Sequence, residues 1–141
     1  MHRLLILMAL LLPWSAIGAQ QPELEGLTAA AEHAREAWYA HDAAELVARS
    51  PQLLVQLPGA DPSAALPPPQ AAALLTDFLA PAQEVATVVR AAREVEPGRG
   101  YVELQRRYRV TGTQEVRTQS LLLGYRLGPA GWRLVELRVV G

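Results

Sequence analysis

The spacing of apolar and polar residues changes once along this chain, near residue 84. Before that point apolar side chains recur every three or four positions; beyond it they alternate. In residues 27–40, Leu27, Ala31, Ala34 and Trp38 form one stripe while Glu32, Arg35 and Glu36 fall mostly on other faces. That spacing, in a segment dense in Ala, Glu, Arg and Leu, predicts an amphipathic helix. His41 and Asp42 interrupt it. Asp42 with Glu45 three residues on resembles a capping box, so a second short helix is expected over 43–49, stopped by Ser50 and Pro51. Residues 53–57 read as a short strand. Residues 58–69 hold five prolines and form a loop. A third helix runs from Pro69 or Gln70 through Leu79, with Leu74, Leu75 and Phe78 expected inward, and Pro81 ends it.

From residue 84 the period is two. Residues 84–96 carry the β-rich stretch Val85, Ala86, Thr87, Val88 and Val89, and Pro97, Gly98, Arg99 and Gly100 make a turn. In residues 101–110 one face carries Val102, Leu104, Arg106, Tyr108 and Val110, and the other Tyr101, Glu103, Gln105, Arg107 and Arg109. Further strands are expected over 115–127 and 132–140, joined by turns rich in glycine. Helices first and hairpins last is the pattern of an α+β domain. The N-terminal helices should pack in the concavity of a curved antiparallel sheet, and a pocket remains wherever they do not fill the curve.

With that order in view, residues 30–141 resemble the nuclear transport factor 2-like superfamily of cone-shaped α+β domains, and among them small exported bacterial domains of unknown function. The residues that carry the resemblance are AWYAHDAAELVARS at 37–50, AALLTDFL at 72–79 and QSLLLGYRLGPAGWRLVELRVV at 119–140. These are motifs of fold, and none is catalytic. The resemblance implies a domain of a superfamily that includes dehydratases, isomerases, small-ligand binders and proteins that use the sheet as an interface. Its enzymes usually place a histidine and an aspartate in the cone. Here no histidine follows His41, and the aspartates are Asp42, Asp61 and Asp77, in a cap, a loop and a helix. Inherited acid–base catalysis therefore does not carry over by analogy.

The N-terminus changes the picture in another way. Met1, His2 and Arg3 precede nine uninterrupted apolar residues, Leu4 to Leu12, followed by Pro13 and small residues ending in Gly18 and Ala19. This is the order of a secretory signal peptide, and the apolar run is well short of the roughly 20 residues a spanning helix requires. Residues 1–19 are thus expected to be cleaved, leaving 20–141 as a single exported domain, periplasmic or extracellular. With no cysteine in the chain, there is neither a disulfide nor a thiolate nucleophile. The formal charge of −1 conceals a division: residues 20–84 hold two arginines against nine acidic residues, and residues 85–141 ten arginines against five. Opposite signs favour packing of the two halves and disfavour a uniformly basic nucleic-acid surface. Lysine is absent, which excludes Schiff-base chemistry.

Few residues stand out as chemistry. His33 and His41 lack metal-ligand spacing, and no metal or cofactor is expected. His41 beside Asp42 is read as the solvent-facing end of the first helix next to a cap. Trp38 continues the apolar stripe and is read as core; Tyr39 lies a rotation away and fits either core or pocket mouth. Arg106 shares the apolar face of its strand with Tyr108. A guanidinium facing inward requires a carboxylate or an anionic ligand. By strict alternation Glu136 and Arg138 share a face with Trp132 and Leu134, while Arg133, Val135, Leu137 and Val139 share the other. Arg106, Tyr108, Glu136 and Arg138 are therefore the candidate ligand-binding residues, the polar end of a pocket, with a rim ion pair as the plainer reading of Glu136 and Arg138. Arg107, Arg109 and Arg117 are assigned to the opposite, solvated alternation.

No phosphate loop, nucleophile elbow or carboxylate series is present. The leading expectation is a non-catalytic exported domain that binds a small apolar or amphipathic ligand, or a protein partner. One alternative is a dehydratase- or isomerase-like enzyme with Glu136 as base and Tyr108 or Arg106 as helper. The other is a structural domain with a filled interior that forms a homodimer through its sheet face.

Overall fold

The computed structural model describes residues 21–141; the export segment expected over 1–19 lies outside them. Helix α1 (Gln21–Tyr39) starts six residues before the predicted point, because Pro22 falls in its first turn, where a missing N–H costs nothing. The predicted stripe is its buried face: Leu27, Ala31, Ala34 and Trp38 are each at most 1% exposed. The helix ends in a Schellman arrangement, with Asp42 N–H donating to the Ala37 carbonyl and His41 N–H to that of Trp38. His41 takes the left-handed conformation there, at φ 56°. Asp42 then accepts from Glu45 N–H at 3.1 Å and caps α2 (Ala43–Leu46), a single turn shorter than expected.

Strand β1 (Leu54–Gln56) is followed by the proline-rich loop and by α3 (Pro68–Leu79). The buried residues of α3 are Ala71, Leu75 and Leu79, with Phe78 packed against the core; Leu74, expected inward, is exposed. Ala71, Leu75 and Leu79 recur at steps of four, and that row turns Leu74 away. The remainder is a meander of β2 (Ala82–Glu96), β3 (Arg99–Val110), β4 (Val116–Gly128) and β5 (Gly131–Val140). The five-stranded sheet has the order β1-β5-β4-β3-β2, antiparallel except where β1 runs parallel to β5. Register shifts leave Val85, Arg90 and Val95 of β2 unpaired, and such bulges bend a strand and increase its twist. The result is the expected α+β architecture of helices against a curved sheet.

The core lies between the helices and one face of that sheet. Val102 and Leu104 of β3, Leu121, Leu123 and Tyr125 of β4, and Trp132, Leu134, Leu137 and Val139 of β5 are buried there. The approach of α1 is close at Gly100, where a Cβ would stand 2.7 Å from Leu27 Cδ1 and 3.2 Å from Trp132 Cζ3. Strand β5 departs from strict alternation. Tyr125 pairs with Leu134 and Gly124 with Glu136, so Val135 is an extra residue and the parity of the strand reverses across it.

Candidate functional site

That reversal divides the four candidate residues between the two faces of the sheet. Arg106 faces the helices and is 1% exposed. Tyr108 follows it, half-buried near the same end. Glu136 and Arg138, expected beside Trp132 and Leu134, instead face outward; Leu137 and Val139 hold the core positions. Glu136 cannot serve as a base in concert with Arg106, since the sheet stands between them. Arg107 and Arg109 lie on the outer face as expected. Arg117 does not: it pairs with Tyr108 in the register, on the helix side, exposed past the helix layer and bound to Glu115 at 3.2 Å.

The carboxylate that an inward guanidinium requires is Glu84, at the start of β2. Arg106 Nη2 donates to Glu84 Oε1, Nε donates to Oε2 at 3.2 Å, and Nη1 donates to Gln119 Oε1 at 3.2 Å. Both charged side chains are almost wholly buried. Three rings surround the guanidinium, with centroids 4.0 Å (Tyr108), 5.1 Å (Trp38) and 5.7 Å (Phe78) from Cζ. His41, expected to face solvent, turns inward and places Nε2 3.1 Å from Glu84 Oε1. Neither Glu84 nor the inward turn of His41 is foreseen by alternation, because the bulge at Val85 and the left-handed backbone at His41 bring them in. Trp38 Nε1 and Thr87 Oγ1 are buried nearby without a hydrogen bond. The ion pair at its centre is closed off from solvent, so the cluster is a structural plug rather than an accessible site.

The open space lies elsewhere. Between α1, α2 and the turn joining β4 to β5 is a cleft of about 510 Å³, within the range of small-molecule sites. Ala29, Ala30, Leu46, Leu127, Trp132 and Leu134 provide its apolar lining. Its polar groups are Ser50, whose hydroxyl is buried without a partner, Arg49 at the exposed edge, and a pair in which His33 Nε2 lies 2.8 Å from Glu45 Oε1. That pair ties α1 to α2 across the cleft's edge but is exposed and contributes little stability. None of these residues is among the candidates read from the sequence, because they come from separate segments that only the fold brings together.

Tyr125 also lines the cleft, and burial pushes its phenol well above the ordinary tyrosine range. The folded state therefore keeps a proton that the unfolded chain releases above about pH 10. Stability from this residue is intact below that point and falls as pH rises past it, by at most about 1.4 kcal/mol per pH unit. The expected result is that the stability lost between about pH 9 and about pH 11 in urea titrations shrinks in Tyr125→Phe; an unchanged loss would remove the assignment.

Among the described residues no group of three or more His, Asp or Glu side chains is placed to hold a metal ion, and no helix is long and apolar enough to cross a membrane. No family model matches the sequence, and no curated protein matches it. Solved structures do match the fold. A ketosteroid isomerase-like protein from Erwinia carotovora atroseptica superposes with a TM-score of 0.69 at 16% identity, over 84% of this chain and 95% of its own. A domain of unknown function with a cystatin-like fold from Nostoc punctiforme gives 0.67 at 15% identity, over 85% and 77%. An NTF2-like protein with a cystatin-like fold from Novosphingobium aromaticivorans gives 0.61 at 20% identity, over 84% and 80%. The chain has the nuclear transport factor 2-like, cystatin-like cone fold, as its sequence resemblance implied; at these identities the likeness carries the fold and not an activity.

Proposed function

We infer that this is an exported, non-catalytic binding domain that holds a small amphipathic molecule in the cleft between α1, α2 and the β4–β5 turn. The observation that carries the reading is the cleft itself: an apolar recess of about 510 Å³ with one buried, unpartnered hydroxyl, that of Ser50. An apolar ligand body would cover the alanine and leucine lining, and a polar head would meet Arg49 and the His33–Glu45 pair at the cleft's edge. Export rests on the order of the first nineteen residues. The lack of catalysis is supported by where the nearby carboxylates stand. Glu84 is engaged by Arg106 and His41 inside the cone, and Glu45 is held by His33 at the cleft's exposed edge. Neither is set against the apolar lining as a free base.

The test uses N-phenyl-1-naphthylamine, an uncharged amphipathic fluorophore. The purified protein is expected to bind it saturably. Ala29→Trp, at an exposed position of the cleft wall, should weaken binding by about tenfold or more without shifting the thermal midpoint, since occupied volume removes contact area. Equal binding by parent and variant would overturn the proposal, as would the absence of saturable binding.

A further inference from the structure

On the outer face of the sheet, three arginines stand side by side across three strands. Arg99 pairs with Arg126 and Arg126 with Arg133, so like charges lie directly opposite one another, an arrangement that is destabilising by itself. In the next row Arg93 pairs with Tyr101 and holds its guanidinium 5.5 Å from the ring centroid. Tyr101 pairs with Gly124, and Gly124 with Glu136. Gly124 lets Glu136 lie close across it: a Cβ there would stand 3.2 Å from Glu136 Cβ and 3.7 Å from its Oε2. The extra residue in β5 is what turns Glu136 and Arg138 to this side.

These features enclose a recess of about 300 Å³ into which Arg93, Arg99, Arg126 and Arg138 converge from four different strands, against one lining carboxylate, Glu136. The protein neutralises little of that charge. Arg99 has an exposed pair with Glu96 at 3.2 Å, and Arg138 Nε donates only to the neutral amide oxygen of Gln56. Among the described residues, neither Arg126 nor Glu136 makes an ion pair. Guanidinium groups are suited to bidentate recognition of oxyanions, and several around one hollow favour an anion of more than one charge.

We propose that this recess is a binding site for a small, multiply charged oxyanion, separate from the apolar cleft and on the opposite face of the sheet. The arginine row remains because the anion compensates its repulsion. Glu136 sets the selectivity: it opposes a bare anion and accepts a hydrogen bond from a ligand that also carries a hydroxyl.

The experiment is calorimetric titration of the purified protein with inorganic pyrophosphate and, separately, with citrate, at low and at raised salt. Saturable binding of either anion, weakening with salt, is expected, and the preferred one assigns the site to phosphates or to carboxylates. Arg126→Gln should weaken binding about tenfold, while its ligand-free thermal midpoint stays level or rises because a repulsion is relieved. Glu136→Gln should tighten pyrophosphate binding about threefold. Arg117→Gln, at the rim of the other face, should stay within about twofold of the parent. The proposal is overturned if neither anion binds, if Arg126→Gln and Arg117→Gln lose affinity equally, or if Glu136→Gln weakens pyrophosphate binding.

Discussion

Replacing Arg106 with alanine is expected to remove about 3–5 kcal/mol of stability, because it leaves the Glu84 carboxylate buried with only His41 beside it. That is a large share of the roughly 5–15 kcal/mol that holds a domain of this size together. Three effects add: the lost pair, the Gln119 oxygen left without its donor, and the loss of the guanidinium from among Trp38, Phe78 and Tyr108. The paired replacement Arg106→Met with Glu84→Leu should restore most of the stability, since buried ion pairs are often exchanged for apolar groups at little net cost. Urea unfolding of the two variants decides it. A loss below about 1 kcal/mol in the single variant would show that Glu84 finds water, and that the cluster is not the closed plug described above.

Exchanging two neighbours in β5, Leu137→Arg together with Arg138→Leu, should have an equally large effect by a different route. Leu137 is wholly buried on the helix side, and Arg138 faces outward beside it. The exchange keeps composition and charge but drives a guanidinium without a counter-charge into the core and moves a leucine out of it, at a cost of several kcal/mol. This variant is expected to lose its cooperative thermal transition and its near-ultraviolet circular dichroism. Deleting Val135 is the milder change, since it leaves Trp132, Leu134, Leu137 and Val139 at alternate positions on one face, and that variant should keep both signals. Retention of both signals in the exchange variant would undo the assignment of Arg138 to the outer face.

Sequence patterning reached the architecture because the architecture is made of long, regular stretches. The Leu27 to Trp38 stripe, the alternation of β3 and the glycine turns each repeat a simple period often enough to be read. The site was less legible because irregularities set it. One bulge at Val135 moves half of the candidate residues to the other face, although the residues do carry a trace of it. Trp132 and Leu134 are apolar at even positions, Leu137 and Val139 at odd ones, and the change of parity falls at Val135. Arg106 was correctly singled out as needing a counter-charge. Its partner lies 22 residues away, placed there by another bulge at Val85, which no period reveals. The cleft draws on α1, α2 and the β4–β5 turn, and only the folded chain brings these together.

The bulges of β2 have a consequence for how the molecule meets its neighbours. This strand forms one border of the sheet, and it presents Val85, Val88, Val89 and Val95 to solvent. Such a β-branched margin, if straight, would recruit strands from other molecules and grow toward fibrils. Three unpaired residues interrupt the ladder of donors and acceptors that growth would need, and the opposite border, β1, is only three residues long. The breaks in β2 therefore deny an approaching strand the unbroken row of partners that a straight margin would offer it.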